Sequence, residues 1–282
     1  MRVHATSVNP VDCYVRAGGL RRFAGVPFPI VPGVDISGVV ENCGENVRSF
    51  SPGNEVFAFL PSGLGASAEF AACEESWLAR KPESLSHTAA GVLPCVGLTA
   101  LQGLRDKIRL TLGQRVLIVG ASGGVGTMAV QIAHAMGAEV TAVCSSSNIN
   151  FVRSLGAAQV IDYTRSDLLE GPTQYDGVFE CVGSHHCWYY RNLLNKGGRH
   201  VGISCSWRSR IEGLGFRIVT GKRSFQFHVK ARPEDLELLG ALVEQGKLKP
   251  IVSHVYTLAQ IVEAHRQCET HRTVGKIAVQ IS

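Results

Sequence analysis

The amino-acid sequence predicts an α/β protein in two parts, a β-rich stretch followed by a doubly wound parallel sheet. Three observations carry that expectation. Up to about Pro94 the apolar residues form short runs broken by Gly/Pro turns. From Arg115 onward, continuous apolar runs alternate with stretches of helical period, the pattern of βαβ units around a sheet buried on both faces. A glycine-rich turn, Gly120 to Gly126, joins the first of those runs to its helix.

In chain order, Arg2–Val8, Asp35–Val40, Glu55–Leu60 and Ala68–Ala72 read as strands, separated by turns such as Pro32-Gly33 and Ser51-Pro52-Gly53. The first of these opens the chain with no earlier strand to pair with. Arg115–Val119 is the first parallel strand, and Val125, Met128, Ala129, Ile132, Ala133 and Met136 lie at helical spacing after it. Strand Glu139–Cys144, helix Asn148–Leu155, strands Gln159–Tyr163 and Tyr175–Val182, a helix near Tyr189 and strand Gly198–Ser204 follow. The tail reads as helix Glu234–Gln245, a strand over Val252–Tyr256, helix Leu258–Cys268 and strand Val274–Ile281.

Composition narrows the function classes. With 45% hydrophobic and 18% charged residues over 282 positions, the chain is not a disordered or low-complexity one. The net charge of +5 suits an anionic ligand but is too dilute to argue for nucleic acid. Nine cysteines, an odd number with no C-x-x-C pair, read as small core residues or free thiols in a reducing compartment. The most apolar stretch, Val116–Val143, is broken by five glycines and carries Gln131, His134 and Glu139, so no membrane span is expected. No signal peptide is read at Met1-Arg2-Val3-His4; a cytoplasmic location is the expectation, with an organelle as the alternative, since any targeting peptide would be lost with a missing start.

The glycine turn points to a dinucleotide. Read as Ala121-x-Gly123-x-x-Gly126, it lets backbone approach a pyrophosphate at Gly123 and lets helix pack on strand at Gly126. The helix N-terminus adds N–H donors and a positive dipole end. A mere tight turn is the competing reading, and the strand–turn–helix context argues against it. An NAD site wants an acid about 20 residues on, to accept from the ribose 2′-OH. Val143-Cys144-Ser145-Ser146-Ser147-Asn148 stands there instead, with hydroxyls that can donate to a 2′-phosphate. Arg153 and Tyr163 could add a cation and a phenol. Against this, a serine can serve as a helix N-cap and Arg153 can simply face solvent.

On these residues the chain resembles the zinc-independent quinone oxidoreductase branch of the medium-chain dehydrogenase/reductases. Gly113-Gln114-x-x-Leu117-x-x-x-Ala121-Ser122-Gly123-Gly124-x-Gly126-x-x-x-x-Gln131 looks like that branch's signature, departing at His134. Ser7-x-Asn9-Pro10-Val11-Asp12, Pro32-Gly33-Val34-Asp35-x-Ser37-Gly38, Leu93-Pro94-x-x-Gly97-Leu98-Thr99-Ala100, Ser154-Leu155-Gly156-Ala157 and Gly275-Lys276 match as well. The resemblance implies a Rossmann-type NADP-binding domain over 98–250, inserted in a GroES-like catalytic domain formed by 1–97 and 251–282. It implies NADP(H)-dependent hydride transfer to quinones or α,β-unsaturated carbonyls, without zinc. Ser145, Arg153 and Tyr163 would hold the 2′-phosphate, while Thr99 and Lys276 would lie near the nicotinamide. The turn Ser122, Gly123, Gly124, Val125 and Gly126, with Ser146, Val182 and Ser204, completes the expected cofactor contacts. Relatives carry roughly 25 to 35 further residues before Val3, so the first strands of the catalytic domain are expected to be missing. Where this chain has Tyr14, the plant chloroplast enzymes have a lysine and the zeta-crystallin type a tyrosine.

No metal is expected. Gly33-Val34-Asp35 replaces the Gly-His-Glu of zinc-dependent relatives. The cluster Cys181-x-x-x-His185-His186-Cys187 reads better as the end of a buried strand followed by a polar loop. For the chemical step the candidates are Asn9, an amide donor beside Pro10, and Tyr14, a phenol able to donate to the substrate carbonyl or to stack against it. A turn-initiating asparagine and a packed tyrosine are the competing readings. One segment pulls elsewhere: Arg208, Arg210, Arg217, Lys222 and Arg223 are interleaved with Trp207 and Phe216. A catalytically weak NADPH-binding protein acting as an RNA-binding or structural module is therefore the alternative function. The blander reading is a loop leading to edge strand Ser224–Val229, which would pair two subunits in a homodimer.

Overall fold

The computed structural model describes residues 1–19, 28–61, 65–166, 168, 174–203 and 207–281. Along the chain run β1 (Arg2–Val8), α1 (Pro10–Arg16), β2 (Asp35–Val39), β3 (Glu55–Phe59), β4 (Leu78–Arg80), α2 (His87–Ala90) and α3 (Pro94–Gln102). There follow β5 (Arg115–Val119), α4 (Gly124–Ala135), β6 (Glu139–Cys144), α5 (Ile149–Ser154), β7 (Gln159–Asp162), β8 (Tyr175–Glu180), β9 (Leu194–Gly202), α6 (Trp207–Thr220) and β10 (Arg223–Gln226). The chain ends with α7 (Pro233–Glu244), β11 (Val252–Thr257), α8 (Ile261–Glu269) and β12 (Lys276–Gln280). Two units result: one from Met1–Leu98 with Lys230–Ser282, the other from Thr99–Val229.

The first unit holds a six-stranded sheet in the order β11-β12-β1-β2-β3-β4. The strand that opens the chain finds partners on both sides. β1 runs antiparallel to β12, with Ala5 opposite Gln280, and antiparallel to β2, with Thr6 opposite Ile36. Its pairing is thus satisfied from the far end of the sequence. Close approach of β1 and β2 requires glycine at 38, where a Cβ would lie 2.0 Å from the Arg2 carbonyl oxygen. Val3, Ile36, Val56, Ala58 and Leu60 pack on one face of this sheet.

The second unit is a six-stranded sheet in the order β10-β9-β8-β5-β6-β7, and every pairing in it is parallel. Counted along the sequence from β5, this is the order 3-2-1-4-5-6 of a doubly wound dinucleotide fold, with its switch point between β5 and β8. Leu117, Val119, Val178, Tyr190, Leu194 and Phe216 share one core cluster there, as continuous apolar strands demand.

Several expectations are corrected. Residues 68–72 form only an isolated bridge, Phe70 to Arg2, made by the Val3 amide donating to the Glu69 carbonyl and the Ala71 amide to the Met1 carbonyl, while the Ser67 amide donates to the Pro32 carbonyl instead. A short helix, α1, follows Asn9, with Pro10 at its first position, where a missing N–H costs nothing. Around Tyr189 the chain makes successive turns rather than a helix, and β9 begins earlier, at Leu194. The segment read as a loop before the edge strand is the helix α6, which buries Phe216 edge-on against Trp188 at 5.3 Å. β10 is at the sheet edge as expected, but only over Arg223–Gln226. Helix α7 belongs to the first unit, not to the cofactor unit, since Gly240 packs on Pro82 and the Ser84 amide donates to Glu244. Thr99 lies inside α3 rather than opening a helix. Among the described residues no helix is long and apolar enough to cross a membrane.

β9 carries a histidine into the core. His200 is 3% exposed, stacks on Tyr190 at 5.3 Å and meets Ser224 Oγ through Nδ1 at 3.0 Å. Burial pushes its pKa down to about 4. The unfolded chain therefore takes up a proton below about pH 6.5 that the native state refuses until about pH 4. Stability from this residue is lost as pH falls through that window, by up to about 3 kcal/mol. In urea unfolding at pH 8 and pH 5, His200→Gln should lose less stability on acidification than the parent chain.

Candidate cofactor and active-site residues

In the second unit, β5 delivers the chain into the glycine turn at the switch point. Gly120 adopts φ +77°, and a Cβ there would meet Val182 Cγ2 at 2.3 Å. A Cβ on Gly126 would meet the Gly120 carbonyl oxygen at 2.1 Å and Ala121 Cα at 2.7 Å, so only glycine lets α4 seat on the turn. Gly123, the N-cap of α4, is different. Its Cβ side meets nothing nearer than 3.5 Å, which leaves the backbone open to an incoming group. The first amides of a twelve-residue helix have no partners within the helix. The turn thus leaves backbone amides open at a helix N-terminus, and Ser122, Gly123, Gly124, Val125 and Gly126 are contiguous in it.

The end of β6 lies beside this turn. Asn148 Nδ2 donates to Ser122 Oγ at 3.2 Å and to Ser145 Oγ at 3.3 Å, tying the serine turn to the glycine turn. Ser145 and Ser147 hydroxyls are 3.2 Å apart. Ser146 behaves otherwise: its hydroxyl donates to Asp162, so its proton is not offered to a ligand. Asp162 also accepts from the Thr164 amide at 2.9 Å and hydroxyl at 2.6 Å, and the Ser146 and Thr164 hydroxyls hold its carboxyl below the usual range. Tyr163, next in sequence, is 60% exposed. It lines an open pocket of about 460 Å³ with Thr164, Arg165, Ser166, Leu168, His185 and Tyr189. Arg153 is exposed at the end of α5. Val182 is 63% exposed beside Gly120, and its turn is set by Glu180, whose buried carboxylate accepts from the amides of Val182, Gly183 and Ser184. Ser204 lies outside the described residues. Sequence reasoning missed Asn148, Asp162 and Glu180, although Asp162 directly precedes a residue it did single out.

The first unit gathers five polar side chains from β1, α1, β2 and β12, all of them at least 95% buried: Ser7, Asn9, Asp12, Asp35 and Lys276. Asn9 Nδ2 donates to Ser7 Oγ at 3.0 Å and Asp35 Oδ2 at 2.9 Å, with Asp12 Oδ2 at 3.3 Å. Lys276 Nζ donates to Asn9 Oδ1 at 2.5 Å and stands 3.7 Å from Asp35 Oδ2. Asp35 Oδ1 takes the Cys95 amide at 2.6 Å. The Asn9 amide is therefore spent inside the protein and is not the direct donor expected for a substrate oxygen. Asn9 positions Lys276 and Asp35 instead. Tyr14, two residues beyond Asp12 on α1, is half-exposed, with its ring against Gly19. Thr99 is half-buried in α3. Asp12 and Asp35 escaped notice as site residues because neither carries a motif signal beyond the family match. Burial pushes the Asp12 carboxyl up to about 7, with the neighbouring Asp35 adding to the rise, against the lowering effect of the Asn9 amide.

The cysteine–histidine cluster does not converge. His186 pairs with Glu212 at 3.2 Å, His185 stacks on Tyr189 at 3.9 Å, and Cys187 is buried. Among the described residues, no group of three or more His, Cys, Asp or Glu side chains is arranged to hold a metal ion.

Comparison with known proteins agrees with this geometry. Residues 1–83 match the family described as Alcohol dehydrogenase GroES-like domain, and residues 155–279 the family described as Zinc-binding dehydrogenase. A mitochondrial NAD(P)H oxidoreductase of Mus musculus is 34% identical over 100% of this chain and 81% of its own length. A chloroplastic NADPH-dependent alkenal/one oxidoreductase of Arabidopsis thaliana is 32% identical over 99% of this chain and 71% of its own. The solved structure of the quinone oxidoreductase from Coxiella burnetii superposes with a TM-score of 0.91 at 31% identity, covering 100% of this chain and 89% of that one. The chain belongs to the medium-chain dehydrogenase/reductases. Within them it falls in the zinc-independent quinone oxidoreductase branch.

Two measurements check the site. Gly126→Ala should destabilise the second unit by about 1–3 kcal/mol, since backbone must move to admit the methyl. It should also weaken dinucleotide binding in titration calorimetry, whereas Gly44→Ala, with open space around it, should do neither. For Asp12, the native carboxyl keeps its proton up to about pH 7 while the unfolded one loses it near 3.8. Its contribution is full below pH 3.8 and is lost as pH rises through 7, opposite in sign to that of His200. Asp12→Asn should therefore gain stability relative to the parent chain at pH 8 but not at pH 4.

Proposed function

We infer that this protein is an NADPH-dependent oxidoreductase of quinones and α,β-unsaturated carbonyls. The observation that carries the reading is the open glycine turn at the switch point of a 3-2-1-4-5-6 sheet, followed at the end of β6 by hydroxyls where an NAD site has an acid. The alkenal/one and quinone oxidoreductases to which the chain is similar support the same reaction class, and none of them supports the RNA-binding alternative. When bound, the dinucleotide supplies a hydride equivalent to an electrophilic carbon or to a quinone.

The protein's own residues divide the remaining work. Ser145, with its hydroxyl free of any carboxylate, and the exposed Arg153 and Tyr163 are the groups we assign to the 2′-phosphate. Ser146 supports the turn rather than the phosphate. Tyr14 is the hydroxyl we assign to the substrate oxygen, where negative charge builds during reduction. The network of Asn9, Asp35 and Lys276 holds α1 and β12 in register, so that Tyr14 is presented on a fixed base. Reduction of an enone then needs one proton at the α-carbon, which water supplies. The edge strand β10 is the surface we assign to a homodimer, its open side being available for pairing with a second copy. Relatives include mitochondrial and chloroplastic proteins, which makes an organelle a second setting besides the cytoplasm.

Cofactor choice is tested by titrating both nucleotides: NADPH should bind at least about tenfold more tightly than NADH, since one charge-assisted contact is worth 1.4 kcal/mol or more. Arg153→Glu should erase most of that difference and leave NADH binding unchanged, and equal affinities in the parent chain would refute the assignment. The chemical step is tested with NADPH deuterated at C4 and an enone. Deuterium should appear at the β-carbon and solvent hydrogen at the α-carbon, and Tyr14→Phe should lower kcat by about tenfold to a hundredfold. Deuterium on the carbonyl carbon would mean alcohol-forming chemistry instead.

A further inference from the structure

In the first unit α1 packs against α8, and the contact brings two thiols together. Cys13 lies on α1 and Cys268 on α8, both in the small apolar cluster of Val8, Ala264, Ile277 and Val279. Cys13 Sγ is 3.5 Å from His265 Nδ1 and 3.9 Å from the His265 carbonyl oxygen, one turn before Cys268. Cys13 is half-buried, whereas Cys268 is only 8% exposed and His265 3%. The two thiols share this cluster, and His265 stands against Cys13. Contact with Cys268 is the main influence raising Cys13, followed by burial, while the hydrogen bond from Cys13 is the main influence drawing Cys268 down. Burial opposes the Cys268 thiolate, the Lys276 ammonium favours it, and Asp12 and Glu269 oppose it. Two thiols in one cluster on packed helices, with an imidazole 3.5 Å from the more exposed of them, are the parts of a dithiol oxidation site.

We propose that Cys13 and Cys268 form an oxidisable dithiol site whose substrate is a hydroperoxide and whose product is an intramolecular disulfide between α1 and α8. The Cys268 thiolate attacks the terminal oxygen of the hydroperoxide. The O–O bond breaks, the alcohol leaves with a proton, and Cys268 becomes a sulfenic acid. Cys13 sulfur then attacks the Cys268 sulfur and the S–O bond breaks. Hydroxide departs as water with the proton that Cys13 gives up to His265. Two thiols are oxidised by two electrons, and one hydroperoxide is reduced to an alcohol and a water. Excess small thiol reverses the disulfide by exchange. The cross-link would fix α1, the helix that carries Asp12 and Tyr14 and is entered from Asn9.

The test uses the whole chain, hydrogen peroxide as probe, alkylation of remaining thiols and tryptic peptide mass spectrometry without reductant. The expected product joins Val3–Arg16 to Gln267–Arg272, and dithiothreitol should remove it. Cys43, an exposed thiol, should remain largely alkylatable under the same exposure. Cys13→Ser should stop the reaction at a Cys268 sulfenic acid that dimedone captures. His265→Gln should slow disulfide closure about tenfold or more without slowing loss of the first thiol. Should that variant fail to fold, the Cys13→Ser result decides alone. The proposal is overturned if Cys13 and Cys268 stay alkylatable while Cys43 oxidises, or if disulfides scatter over other cysteine pairs in equal yield. No readout depends on nucleotide oxidation, so the result stands whether or not the reductase reading does.

Discussion

The buried ion pair of Lys276 and Asp35 is the constraint on which the first unit depends. Two charges 3.7 Å apart, with side chains 6% and 0% exposed, are costly to take out of water, and their attraction repays that cost only if the remaining polar atoms are satisfied. Asn9 does this: its oxygen takes the ammonium and its nitrogen reaches Asp35, while the Cys95 amide covers the other Asp35 oxygen. Because Asn9 also caps α1, the pair fixes the start of that helix. Because Lys276 opens β12, the same pair fixes the pairing of the last strand with the first. Loss of either charge would leave the other buried without a partner, which costs more than the pair itself contributes.

The two units make their sites by different means. In the second, the site we assign to the dinucleotide rests on backbone. A glycine turn that excludes side chains at Gly120 and Gly126 leaves amides open at Gly123, and a buried carboxylate, Glu180, organises the facing turn through three amides. In the first, a buried network rests on side chains drawn from elements far apart in sequence. The first arrangement tolerates change in most neighbouring residues, whereas the second couples every member to the others through shared protons.

Misread segments have identifiable causes. Pro10 ordinarily signals a turn after asparagine, yet Asp12 completes a capping box with Asn9 and a helix starts. The stretch 207–220 contains two glycines and several arginines, a weak helical pattern. Phe216 and Trp188 in the core supply what local propensity does not, and α6 forms. Around Tyr189 the aromatic run looks helical, but stacking of His185 on Tyr189 and of Tyr190 on His200 organises it as turns. In the last two cases packing overrode a local preference worth only tenths of a kcal/mol per residue.

By itself the sequence determined the parallel sheet, the glycine turn and the absence of an acid after β6, because these are encoded by contiguous residues: apolar period, steric room at glycine, and side-chain type at a strand end. Only the tertiary structure decided that the opening strand pairs with the closing one, that Ser146 is claimed by Asp162, and that Asn9 faces Lys276 across 267 positions rather than a ligand. It also brought Cys13 and Cys268 into one cluster. Hydrogen bonds of that reach follow from strand register and from the need to pair every buried polar atom, and neither leaves a trace in local pattern.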